Sequence, residues 1–118
     1  AEETAVIEMW TRRVEMNVAT PLMGAVRFSH PALAAIETPD PAFAERSLRQ
    51  ANGFLRVLDR RLAESPFIAA ERITIADILA YTGMDFARML RFEPDPELTH
   101  VVRWRDAMRE RPAAKAGV

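Results

Sequence analysis

The 118-residue sequence is 49% hydrophobic and 28% charged, with sixteen basic residues, seventeen acidic ones and no cysteine. At this length one domain is expected, and the composition excludes wholesale disorder. The net charge of −1 argues against nucleic acid as a partner, and the missing thiols exclude disulfides, thiolate metal sites and a cysteine nucleophile.

Twenty alanines, little β-branched alternation, and Pro or Gly confined to a few places predict an all-α chain with short turns between helices. A first helix is expected over residues 2–28, with Val6, Met9, Trp10, Val14, Met16, Val18, Leu22, Met23 and Val26 on more than one face. So wide an apolar surface needs two partners. Pro21 lies inside this helix, removes a hydrogen bond and predicts a kink there. Residues 29–41, with His30-Pro31 and Thr38-Pro39-Asp40-Pro41, read as a connection between antiparallel helices. The second helix, about 41–64, carries one apolar stripe of Ala44, Leu48, Ala51, Leu55, Leu58 and Leu62, backed by Arg46, Arg49, Arg56, Arg60 and Arg61 facing water. Asp40 caps it and Pro41 takes its first position.

After Ser65-Pro66, the run Phe67-Ile68-Ala69-Ala70-Glu71-Arg72 reads as a compact turn, and then comes the sharpest local signal. In Ile73-Thr74-Ile75-Ala76-Asp77-Ile78 the Thr74 side chain accepts from the Asp77 N–H while the Asp77 carboxylate reaches back to the Thr74 N–H: a capping box, with Ile73 and Ile78 as its hydrophobic staple. The helix it opens continues through Leu79, Thr82, Phe86, Met89 and Leu90 and is expected to be the buried centre of the bundle. Loss of Thr74 or Asp77 is then expected to cost about 2 kcal/mol. Glu93-Pro94-Asp95-Pro96 breaks the chain before a last helix with Val101, Trp104, Arg105 and Met108 on one side, stopped by Pro112 and followed by a frayed end at Ala113–Val118.

His30 and His100 have no second ligand at metal spacing, so no metal is expected. No run approaches the ~20 apolar residues that a membrane helix needs. A soluble, cytoplasmic protein without membrane association is expected. The chain opens at Ala1 with neither an initiator methionine nor a basic-then-apolar leader, and is expected to be a fragment.

The long kinked first helix, the striped second, the turn at Phe67–Arg72, the box Ile73-Thr74-Ile75-Ala76-Asp77 and a Trp104 helix closed by Arg111-Pro112 together resemble the C-terminal helical domain of the glutathione S-transferase family, most like its bacterial members. The resemblance spans essentially the whole chain, and the stapled box is its most specific piece. It implies about five helices around a buried central one, as a single domain over residues 1–118, in an enzyme that adds the glutathione thiolate to electrophiles. In the family, glutathione and the residue that activates its sulfur belong to an N-terminal thioredoxin-like domain, of which this sequence holds nothing. Glutathione is therefore implied as a co-substrate bound mainly by that absent domain, and this chain alone is expected to be inactive. The family commonly has glycine then an acid where Ala70-Glu71 stands, so a positive φ there would be strained.

What the resemblance implies for the helical half is one wall of the electrophile pocket and part of a homodimer surface, both from the first helix. On a 3.6-residue period Met9, Arg13, Met16, Asn17 and Thr20 share a face and are the candidate residues for a hydrophobic electrophilic small molecule. The plain alternative is core methionines and a solvated Arg13. Arg12 and Glu15 are read either as contacts to a neighbouring subunit's ligand or as surface pairs. Arg12-Arg13 and Arg60-Arg61 read as solvated faces, Trp104 and Tyr81 as core, and Asp77 as a cap instead of one half of an acid–base pair with Asp85. A non-catalytic interaction module of the same helical build is the rival function.

Overall fold

Pro21 has no N–H to give and its ring crowds the carbonyl four residues back, so the first helix of the computed structural model changes pitch just before it. Helix α1 (Glu2–Val14) runs into a π-helical turn, Glu15–Ala19, and continues as α2 (Thr20–Ser29). The expected kink is thus a widened turn, in which the Thr20 N–H reaches back to the Glu15 carbonyl. The Met16 carbonyl is left facing Pro21 at that spacing, and Gln50 Nε2 supplies its hydrogen at 3.2 Å while lying 3.3 Å from Asn17 Oδ1. The structure describes residues 1–111, so the helix stop expected at Pro112 and the frayed end expected at Ala113–Val118 lie outside the described residues.

The connection to the next helix is a single 3₁₀ turn, Pro31–Leu33, capped by His30 Nδ1, which accepts from the Ala32 N–H. The Asp40 N–H returns to the Phe28 carbonyl at 2.8 Å, closing the loop. Helix α3 (Pro41–Leu62) starts as expected, with Asp40 Oδ1 accepting from the Phe43 N–H at 3.1 Å. Its stripe is buried at Ala44, Ala51, Leu55, Leu58 and Leu62. Arg61 departs from the expectation of a solvated arginine: its Nε donates to the Ile68 carbonyl at 2.7 Å, pinning the turn that leads to α4.

Helix α4 (Ile75–Phe86) opens on the Thr74–Asp77 box. Asp77 Oδ2 accepts from the Thr74 N–H at 2.9 Å, and Oδ1 accepts from the Ile68 N–H at 3.0 Å and from the Trp104 indole at 2.8 Å. The carboxylate is wholly buried, so these donors replace the water it gave up. One aspartate therefore ties the preceding turn, the start of α4 and the last helix together. Trp104 is core, as expected, with its one polar atom spent on Asp77. No positive φ occurs at Ala70 or Glu71; among the described non-glycine residues only Arg91 has one, at 59°, where a 3₁₀ turn, Ala87–Leu90, ends.

Helix α5 (Thr99–Arg109) has no side-chain cap of its own. Asp59 of α3 caps it from across the fold, accepting from the His100 and Val101 N–H groups at 2.9 and 3.0 Å. Arg103 returns the favour to the Leu62 carbonyl at 3.2 Å. Asp59→Ala is therefore expected to lower stability by about 1–2 kcal/mol in urea unfolding, with Asp59→Asn recovering most of it; an unchanged midpoint for the alanine variant would show the cap to be idle.

The expectation that α4 is buried on nearly every side is corrected. Ile75, Ile78 and Phe86 are 49%, 45% and 41% exposed, and of the staple pair only Ile73 packs against the core. The helix buries Ala76, Asp77, Ala80, Gly83 and Met84 and turns an apolar edge outward. Among the described residues the fold is all-α, with no strand, and the core runs from Trp10 and Leu22 through Leu55 and Leu58 to Met84 and Trp104.

Candidate functional site

The first helix packs along α4, with Ala19 against Gly83, and two grooves lie beside it, the upper one reaching Ile75 at the start of α4 and the lower one bounded by α2, the connection to α3, Phe43 and Phe86. The upper one, about 380 Å³, is lined by Thr4, Ile7, Glu8, Thr11, Arg12, Glu15 and Ile75. The lower one is larger and more apolar, about 560 Å³, and its walls include Thr20, Met23, Arg27, Phe28, Phe43 and Phe86. Phe28 and Phe43 meet edge to face, 5.1 Å between centroids. Gly24 keeps the floor low there, since a Cβ on it would stand 3.2 Å from Phe43 Cε2. The size and lining suit a small apolar ligand.

Each groove has one arginine at its edge, and both are already paired: Arg12 with Glu8 at 3.4 Å and Arg27 with Glu37. The grooves thus offer apolar contact and two threonine hydroxyl-bearing rims, with their positive charge already balanced. Among the described residues no group of His, Asp or Glu is arranged to hold a metal ion.

The five candidate residues of the first helix do not converge on one cavity. Thr20 lines the lower groove. Met9 and Met16 point away from the bundle, the latter 65% exposed. Arg13, half-buried, lies over the Trp10 ring at 4.4 Å and the Phe54 ring at 5.3 Å, on the side of α3, and lines neither groove. Asn17 is engaged by Gln50 and by the Arg13 carbonyl, on the side of α3. Met23, Phe28, Phe43 and Phe86, which line the lower groove, were not among the candidates. Their apolar character was plain in the sequence, but nothing local says which apolar residue a neighbour leaves uncovered.

With this geometry in view, the comparisons with known proteins agree on one family. The family model described as "Glutathione S-transferase, C-terminal domain" matches residues 14–112. A yeast protein, "Glutathione S-transferase 2" of Saccharomyces cerevisiae, is 28% identical over 116 residues, which is 96% of this chain and 49% of the relative. The crystal structure of Gtt2 from Saccharomyces cerevisiae superposes with a TM-score of 0.89 at 24% identity, over 97% of this chain and 56% of that one. A glutathione S-transferase domain-containing protein from Marinobacter aquaeolei VT8 gives 0.81 at 30% identity, over 96% of this chain and 56% of its own. The chain spans about half the length of these relatives. Its all-helical bundle, the Thr74–Asp77 box at the head of α4 and the match over residues 14–112 place it in the glutathione S-transferase family, as a C-terminal domain.

Proposed function

We propose that this chain is the helical half of a glutathione transferase and supplies the wall against which an apolar electrophile is held while the glutathione thiolate attacks it. The observation that carries this is the bare apolar edge of α4, Ile75, Ile78 and Phe86, beside two grooves in a chain half as long as its relatives. Large apolar side chains exposed along one helix edge in this way mark a surface that another part covers. Glutathione, the co-substrate in this family, is assigned mainly to the other half. The contribution of this half is proximity: it orients the electrophile near a sulfur that other residues activate.

The pocket wall is assigned to the lower groove, with Thr20 retained from the candidate set and Met23 and Phe86 added. In the full-length protein, Met23→Ala and Phe86→Ala are each expected to raise KM for an aromatic electrophile about tenfold while leaving KM for glutathione unchanged, as the loss of one apolar contact would. Equal effects on both substrates, or no turnover of any electrophile by the parent protein, would overturn the assignment.

The outward stripe of Val6, Met9 and Met16, with Arg13 laid on Trp10 and Phe54 beside it, is assigned to a homodimer contact through the first helix. Met9→Glu combined with Met16→Glu is expected to convert a dimer to a monomer in sedimentation velocity. A dimer that survives both charges would move the contact elsewhere. A protein held at the cell interior without membrane contact fits these assignments, and no helix among the described residues is long and apolar enough to cross a membrane.

A further inference from the structure

Along the first helix, the upper groove's lining includes Thr4, Glu8, Thr11 and Glu15 and the lower groove's includes Thr20, Met23 and Arg27, with a five-residue step from Glu15 to Thr20 between them. The five-residue step is the π turn, Glu15–Ala19. A regular helix advances ~100° per residue, so without the extra residue Met23 and Arg27 would swing off the lower groove by about that angle, and Leu22 and Val26 would take their place. The turn therefore selects which side chains form the wall of the lower groove.

Three side chains hold the turn open. Pro21 withholds the N–H that would restore the regular ladder. Gln50 reaches from α3 to the Met16 carbonyl, which the turn has deprived of a backbone partner, and to Asn17 Oδ1. Asn17 Nδ2 in turn donates to the Arg13 carbonyl at 2.9 Å. Gln50 lies on α3 and is absent from both grooves' linings, so whatever it does to a bound molecule it does through the backbone of the first helix.

We infer that Gln50 is a positioning residue for electrophile selection: by satisfying the Met16 carbonyl it stabilises the π turn that turns Thr20, Met23 and Arg27 onto the lower groove. The inference rests on the assignment of that groove as the electrophile pocket, and its test separates the two. In the full-length protein, Gln50→Leu removes the donor, Gln50→Lys keeps one of similar reach, and Pro21→Ala with Gln50→Leu also restores the missing backbone N–H.

The expected result is that Gln50→Leu shifts the ratio of kcat/KM between a bulky aromatic and a small alkyl electrophile by about threefold, with KM for glutathione unchanged, and that Gln50→Lys restores the ratio. The double variant shifts it further, and its crystal structure shows the Thr20 N–H bonded to Met16 instead of Glu15. A ratio unmoved by Gln50→Leu while Met23→Ala and Phe86→Ala move it would overturn the inference and leave the pocket standing. A double variant that keeps the π turn would overturn it from the structural side, whatever the kinetics. A ratio indifferent to Met23, Phe86 and Gln50 alike would remove the pocket assignment and the inference with it.

Discussion

Asp77→Ala is expected to destabilise the domain by about 3–5 kcal/mol, well above the cost of losing an ordinary helix cap. The capping half of its work, the bond to the Thr74 N–H, accounts for about 1–2 kcal/mol. The rest comes from the other oxygen: removing it strands the Ile68 N–H and the Trp104 indole N–H in a site that no water reaches. A buried donor without a partner costs about 1–3 kcal/mol. Asp77→Asn keeps one acceptor oxygen and is expected to lose less. Urea unfolding followed by tryptophan fluorescence reads both values, and a loss near 1 kcal/mol for the alanine variant would mean that the network adds nothing to the cap.

Gly83→Leu is the second large effect, about 3 kcal/mol. Gly83 lies where α4 crosses the π turn, and a Cβ there would stand 3.1 Å from Ala19 Cα, a backbone atom that cannot rotate away. Alanine at this site gains about 1 kcal/mol of helix propensity and loses a similar amount to the crowding, so Gly83→Ala is expected to come out near neutral or slightly unfavourable. Gly53 supplies the contrast. It faces open space in the middle of α3, and Gly53→Ala is expected to stabilise by about 0.5–1 kcal/mol. Equal responses at the two glycines would mean that α4 and the first helix are not in close contact at Ala19.

Much of this fold was legible because its strongest signals are local. The Asp40 cap before Pro41, the stripe on α3 and the Thr74–Asp77 box each lie within a few residues, and each recurs in the structure. Two longer-range features were visible only in part. Trp10, Val14, Val18, Leu22 and Val26 step by four all the way, and all five are buried. On a regular helix four such steps drift by about 160°, too far for one buried face, so the sequence already held a reason for an extra residue in the turn. Pro21 drew the prediction of a kink but did not say how the freed carbonyls would be satisfied, because Gln50 comes from another helix.

The candidate site was the least legible part, for a related reason. Periodicity groups Met9, Arg13, Met16, Asn17 and Thr20 on one face if the helix is regular, and the π turn separates Thr20 from the others. Exposure of Ile78 and Phe86 also escaped prediction. An apolar helix face carries the same pattern whether its cover is a neighbouring helix of this chain or another body, and half of the relatives' length lies outside this chain.

The most direct test of the assignment of this domain is a crystal structure of the full-length protein with an S-aryl glutathione adduct. The aryl ring should lie in van der Waals contact with Thr20, Met23 and Phe86, and Ile75 and Ile78 should be covered by the remainder of the protein. An aryl ring bound away from this groove, with the edge of α4 still open to water, would contradict it.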